Sequence, residues 1–294
     1  MSDIVTEPVR YLTVTGLLFP DNRLLLQPGY LTDDAAYAEP DPDSPLLVEL
    51  VDDEGRTTVR YRIPVAPFYS QPAVGQLAVA GKVPFPNGTR VIRFLRDDIL
   101  LEQIEVARAS PRVTIEWSPS DPVEGRQTIT WSGEHPEGRE LHYTVCFHSS
   151  GAGWQPLTTT TAHTEFEVDF DELPGGRCRI GILATDGVNT VLEESRTFRS
   201  PIKPCFAMIL APADETRVPA GVPTLLQGQG YWREERRPEF EQLSWTSSID
   251  GELGTGALVE ANLSAGVHRI ELRAGRGRRA GATGISLSVG NGEK

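Results

Sequence analysis

Leu141-His142-Tyr143-Thr144-Val145-Cys146-Phe147 and, downstream, Cys178-Arg179-Ile180-Gly181-Ile182-Leu183-Ala184-Thr185 decide the fold class. In the first run Leu141, Tyr143, Val145 and Phe147 alternate with polar residues. Successive strand side chains point to opposite faces, so period two marks a strand with one buried side. Further runs of this kind lie at 113–117, 127–131, 165–170 and 194–198, with Gly, Pro and Asn between them. Six or seven strands in about 90 residues is the spacing of a small β-sandwich.

The pattern continues on both sides. Upstream, alternating segments occur at 11–15, 24–26, 46–50, 59–65, 77–83 and 91–94, broken by Pro20-Asp21-Asn22, Asp52-Asp53-Glu54-Gly55 and Pro86-Asn87-Gly88. These punctuating residues accept tight-turn geometry, Asn87-Gly88 best of all. Residues 33–44 read as an exposed acidic loop. The stretch 96–106 reads either as the one helix candidate or as two hairpin strands. Downstream, Pro201-Ile202-Lys203-Pro204 favours extended backbone and a short, stiff connection. Beyond it, strands are expected at 206–210, 224–228, 242–246, 258–262, 266–274 and 284–289. The expected architecture is all-β, three consecutive β-sandwich domains over 1–110, 111–200 and 201–294.

Composition agrees. The chain has 294 residues, 39% apolar and 23% charged, enough for ordinary cores and too apolar for disorder. Glycine (28) and proline (23) together make roughly one residue in six, which suits many turns. No run approaches the roughly 18 apolar residues of a membrane span. The start Met1-Ser2-Asp3-Ile4 lacks a basic segment followed by an apolar one, so no secretion signal and no membrane insertion are expected. Cys146, Cys178 and Cys205 form an odd set, which favours a reducing compartment.

Residues 111–200 resemble the fibronectin type III and related immunoglobulin-like sandwiches strung along bacterial proteins. The resemblance is carried by Ile129-Thr130-Trp131, by the two runs above, by Gly151-Ala152-Gly153-Trp154 and by Leu173-Pro174-Gly175-Gly176. It implies that Trp131 packs the core facing Ile180, Ile182 and Ala184, with Cys178 where the family has a tyrosine. Residues 201–289 resemble a further bacterial immunoglobulin-like domain through Leu243-Ser244-Trp245, the glycine-rich 250–256 and Leu263-Ser264-Ala265-Gly266-Val267-His268-Arg269-Ile270. In the proteins so resembled, such strings often flank a peptidase or another enzymatic domain. Those domains are commonly extracellular, so a secreted or cell-surface location stands as the alternative to the direct reading, cytoplasmic.

Chemistry-bearing groups are sparse. Gly251 to Gly256 is followed by Ala257-Leu258-Val259, a strand, whereas a phosphate loop needs a helix N-terminus; a turn is expected there. His142, Cys146 and His148 share one strand face but spread over roughly 20 Å, so only Cys146 with one histidine is close enough to share a metal. His135, His142, His148, His163 and His268 lie near no nucleophile elbow or zinc-helix motif. The acidic clusters Asp33-Asp34, Asp41 with Asp43, and Asp169, Asp171 and Glu172 match no calcium-loop pattern. No catalytic residue, metal or cofactor is expected.

Charge is partitioned: -6 over 1–110, -7 over 111–200 and zero over 201–294. In the neutral last segment, Arg269, Arg273, Arg276, Arg278 and Arg279 lie on one strand and the turn after it, as a local basic tip. Tyr231-Trp232-Arg233-Glu234-Glu235-Arg236-Arg237-Pro238-Glu239-Phe240 stands where a plain sandwich has a short loop. Aromatics and arginine dominate interface hot spots. Tyr231, Trp232, Arg233, Arg236, Arg237, Phe240, Arg276, Arg278 and Arg279 are therefore the candidate protein-binding residues; a cap tucking Trp232 and Phe240 over its own sandwich is the competing reading. The positive surface is too small for nucleic acid. The expected function is non-enzymatic binding or scaffolding toward a protein with an acidic surface, including the role of an accessory or regulated subunit of an enzyme encoded elsewhere such as a peptidase; a carbohydrate or cell-envelope binding module and a hydrolase with a dispersed site are the alternatives.

Overall fold

A computed structural model describes residues 10–67, 75–151 and 153–290. The start at Met1 to Ile4 and Ala152 of the expected turn lie outside the described residues. The described residues are all-β, in six open sheets around three buried apolar clusters. Among the described residues there is no α-helix, only the 3-10 turn Gly277–Arg279. Among the described residues no helix is long and apolar enough to cross a membrane.

The first cluster lies between the sheet built on Arg10–Leu18 and Leu77–Phe85 and the sheet built on Leu46–Val51 and Val91–Arg96. Neither reading of 96–106 holds: the stretch is not helical and supplies one strand, Ile99–Glu105, which pairs back on Val91–Arg96 across Asp97 and Asp98, at φ of 48° and 62°. Left-handed backbone at both central residues is what a two-residue hairpin demands, and aspartate tolerates it.

Around the second cluster, His142–Ser149 pairs with Gly176–Thr185, and Tyr143, Val145 and Phe147 face Cys178, Ile180 and Ile182 inward. Trp131 meets Tyr143 edge to face at 5.7 Å. Cys146 lies on the other face, and all three cysteines are free.

Around the third cluster, two expectations are corrected. The strand expected to stop at 228 runs Thr224–Trp232, so Tyr231 and Trp232 are strand residues rather than loop; Arg237–Glu239 returns alongside it. Apolar alternation fades there because Gly228 and Gly230 occupy inward positions. A Cβ at Gly228 would lie 2.5 Å from Leu272 and 2.9 Å from Trp245, and one at Gly230 2.9 Å from Ala274. Glycine thus admits large neighbours into the core. The glycine-rich stretch expected as a turn is likewise an edge strand, Gly251–Thr255, paired with Leu243–Ser247.

The clusters are tied together. Turn 185–190 enters the first cluster: Val188 is buried there, the Thr185 hydroxyl donates to Gly29 O at 2.7 Å, and the Asn189 amide donates to Ala107 O and Ala109 O at 2.9 and 3.2 Å. Glu137 accepts the N–H groups of Arg108 and Ala109, both at 2.7 Å. These bonds hold its carboxyl below the usual carboxylate range, Ala109 N–H first. Beneath them His135 and Asp186 are buried with Nε2 and Oδ2 3.2 Å apart.

Replacing Gly228 by Ala should cost about 1–3 kcal/mol, because Leu272 and Trp245 must shift to admit a methyl group. A lowered denaturant midpoint with unchanged far-ultraviolet circular dichroism checks this.

Candidate interaction site

The nominated residues of 231–240 form the end of one hairpin, and its tip lies between the second and third clusters. Trp232, the last residue of its strand, points inward and is 6% exposed. Its indole Nε1–H donates to Glu239 Oε2 at 2.9 Å. The guanidinium groups of Arg279 and Arg237 lie 4.6 and 5.9 Å from its ring. Gly275 lets the next turn approach, since a Cβ there would lie 2.7 Å from the indole.

Glu239 is a buried carboxylate with directed partners. Besides Trp232 it accepts the N–H groups of Glu241 and Gln242, both at 3.0 Å, and Arg237 lies at 3.8 Å. The Trp232 bond, then the backbone bonds, outweigh burial and hold its carboxyl below the usual glutamate value.

The turn 233–236 docks on turns beside the second cluster and on the linker. Glu234 Oε1 accepts Lys203 N–H at 2.8 Å and Gly175 N–H at 3.2 Å, while Oε2 takes Arg279 at 3.0 Å. Arg279 also reaches Glu235 at 3.1 Å. Arg233 donates to Asp171 O at 2.9 Å and pairs with Glu172 at 3.2 Å, and Lys203 pairs with Asp171 at 3.3 Å. Gly151 is needed as well, because a side chain there would run into Glu234 O.

The nine candidates therefore divide. Trp232, Arg233, Arg237 and Arg279 are engaged within the chain. Arg236, Arg276 and Arg278 are exposed, with no side-chain partner among the described residues. Phe240 and Tyr231 are 50% and 37% exposed, and Tyr231 is registered opposite the exposed Phe206. Arg269 and Arg273 belong to the preceding strand, roughly 13 Å apart at ~3.3 Å per residue, so the five arginines do not converge on one tip. Sequence reasoning passed over Glu234, Glu239, Asp171 and Lys203. The acidic character of Asp171-Glu172 and the Arg-Glu-Glu-Arg-Arg run were visible, but their pairing spans 62 residues.

The histidines assemble differently from a hydrolytic triad. Ser247 Oγ lies 2.8 Å from His268 Nδ1, and His268 Nε2 faces Ser264 O at 2.7 Å. The carbonyl only accepts, so Nε2 carries the proton. Asp250 lies 3.6 Å from the same Nδ1 that meets Ser247, whereas a triad sets hydroxyl and carboxylate on opposite ring nitrogens. On the outer sheet face, Trp154 lies over Gly181 beside His148, 5.0 Å between rings. Burial pushes the Cys146 and Cys178 thiols up to about 11, away from thiolate chemistry at neutral pH. No group of three His, Cys, Asp or Glu side chains suited to a metal occurs among the described residues.

No family model matches the chain, and no curated protein matches it. Among solved structures, the fibronectin(III)-like modules of Clostridium thermocellum CbhA are similar over 61% of this chain and 95% of theirs, at 11% identity and a TM-score of 0.27. Human protocadherin-24 EC1-2 is similar over 63% of this chain and 99% of its own, at 12% identity and a TM-score of 0.21. Native E. coli alpha-2-macroglobulin is similar over 97% of this chain and 22% of its own, at 9% identity and a TM-score of 0.25.

Two outcomes follow from the hairpin. Trp232→Ala should cost roughly 3–5 kcal/mol of folding stability, as loss of a buried indole does; thermal or denaturant unfolding measures it. Glu239 contributes stability that is fully present above the ordinary glutamate value of 4.5 and is lost as pH falls through its lower folded value. The Trp232 indole N–H resonance should therefore move in acid below that value. In Glu239→Gln, whose amide group does not titrate, that acid transition should vanish.

Proposed function

We propose that this chain is a non-catalytic binding or scaffold protein of three consecutive β-sandwich units, whose last unit presents arginine and aromatic side chains to an acidic surface on another protein. The observation that carries the reading is the contrast within one turn region. Arg233, Arg237 and Arg279 are each neutralised by a glutamate of this chain, whereas Arg236, Arg276 and Arg278 project without a side-chain partner among the described residues. Exposed guanidinium groups beside exposed Phe240 and Tyr231 combine area with directed hydrogen bonding, as hot spots do. The ties at Glu234 and Asn189 support a scaffold role, because they fix each unit against the next. The placement of Ser247 and Asp250 at the same ring nitrogen of His268 and the raised thiol values favour a role without nucleophilic catalysis. An accessory role beside a separate enzyme, peptidase included, is the form of this reading suggested by the resemblance of the sandwiches.

A photo-crosslinking residue at Phe240 should capture a partner through an acidic segment, identified by mass spectrometry. Reversing Arg236, Arg276 and Arg278 to Glu should then weaken binding of that purified partner by at least tenfold, with an unchanged melting midpoint. Undiminished binding by the reversed variant would sink the assignment.

A further inference from the structure

Outward-facing cross-strand pairs around the second cluster match opposite charges. Arg112 is registered with Glu134 and Arg126 with Asp169, each as an ion pair at 3.3 Å, and Arg179 pairs with Glu194. One pair breaks the rule. Arg177 and Arg199 stand directly opposite one another, both exposed. Like charges at that separation are destabilising. They occur in the most acidic segment of the chain, net -7, where a carboxylate partner would be easiest to supply. Neither guanidinium has a partner among the described residues; the neighbouring carboxylate of Asp121 instead accepts the Arg199 backbone N–H at 3.1 Å.

The pair borders a concavity of about 520 Å³ whose other walls are Asp121, Pro122, Pro201 and Ile202. Ile202 is 52% exposed, an aliphatic side chain left beside two unpaired cations. The linker forming one wall is held in place: Glu234 binds the N–H groups of Gly175 and Lys203 on either side of it, and Gly175 packs on the backbone of Pro201. Two forked cations, an apolar wall and a fixed backbone describe a receptor for a carboxylate carried beside an apolar group.

We propose that the concavity at Arg177, Arg199 and Ile202 is a second binding site, which takes an acidic peptide segment bearing an aliphatic side chain: the guanidinium groups receive the carboxylates and Ile202 with the prolines receives the aliphatic group. This site is separate from the arginines of the last unit, and it stands whether or not those bind a partner.

The test uses the full chain and the probe peptide acetyl-Glu-Leu-Glu-amide, followed by amide resonances of Gly176, Arg177, Arg199 and Ile202. Saturable shifts are expected, absent with the Gln-Leu-Gln counterpart and weaker with inorganic phosphate. Arg199→Glu is the informative variant, since it creates an ion pair with Arg177. It should raise the melting midpoint while weakening the peptide at least tenfold, a combination that a purely structural arginine would not give. No saturable shift, equal binding of the Gln peptide or of phosphate, or unaltered peptide affinity in Arg199→Glu would each overturn the proposal. Ile202→Ser gives a second check: peptide affinity should fall, and an unchanged value would remove the apolar wall from the site and overturn the peptide assignment.

Discussion

The carboxylate of Glu234 is the constraint on which the relation between the last two clusters depends. One oxygen takes two backbone N–H groups, from the 173–176 turn and from the linker, and the other takes Arg279. Backbone donors are fixed in direction, so a single carboxylate sets both the position of the hairpin and the path of Pro201 to Pro204. Charge-assisted bonds of this kind are stronger than neutral ones. Their neighbours Arg233 and Lys203 add ion pairs to Glu172 and Asp171, which would count for little on an open surface but here extend a network already fixed by backbone bonds.

The junction between the first two clusters uses the same device with different residues. Glu137 and Asn189 bind the backbone of residues 107–109, and Val188 supplies an apolar anchor. Gly29 and Gly187 meet as a backbone bridge, where a side chain at Gly29 would run into Thr13 O and Gly187 O. Both junctions therefore rely on turns that reach across to backbone groups, where a flexible linker would leave the units free to reorient.

This arrangement redistributes the arginines. Those that complete a junction or flank Trp232 are neutralised by the chain itself, whereas Arg236, Arg276 and Arg278 on the turns beside the third cluster, and Arg177 and Arg199 across one strand pair, have no carboxylate partner among the described residues.

The sequence by itself determined the class of fold. Alternation in 141–147 and 178–185 is a property of neighbouring residues, so the strands and their inward faces could be read directly, as could the turn at Asn87-Gly88. For 96–106 it offered a helix or two strands, where the left-handed pair Asp97 and Asp98 turns a single strand, Ile99–Glu105, back on Val91–Arg96. Where inward residues are glycines, at Gly228 and Gly230, alternation disappears from the letters and the strand persists because distant side chains fill the space. Tertiary structure alone decided which charges are free. Arg233 and Arg236 are the same residue type three positions apart, yet one meets Asp171 and Glu172 and the other meets no carboxylate among the described residues. Electrostatic pairing depends on distances across more than 60 residues of chain, which local pattern does not encode.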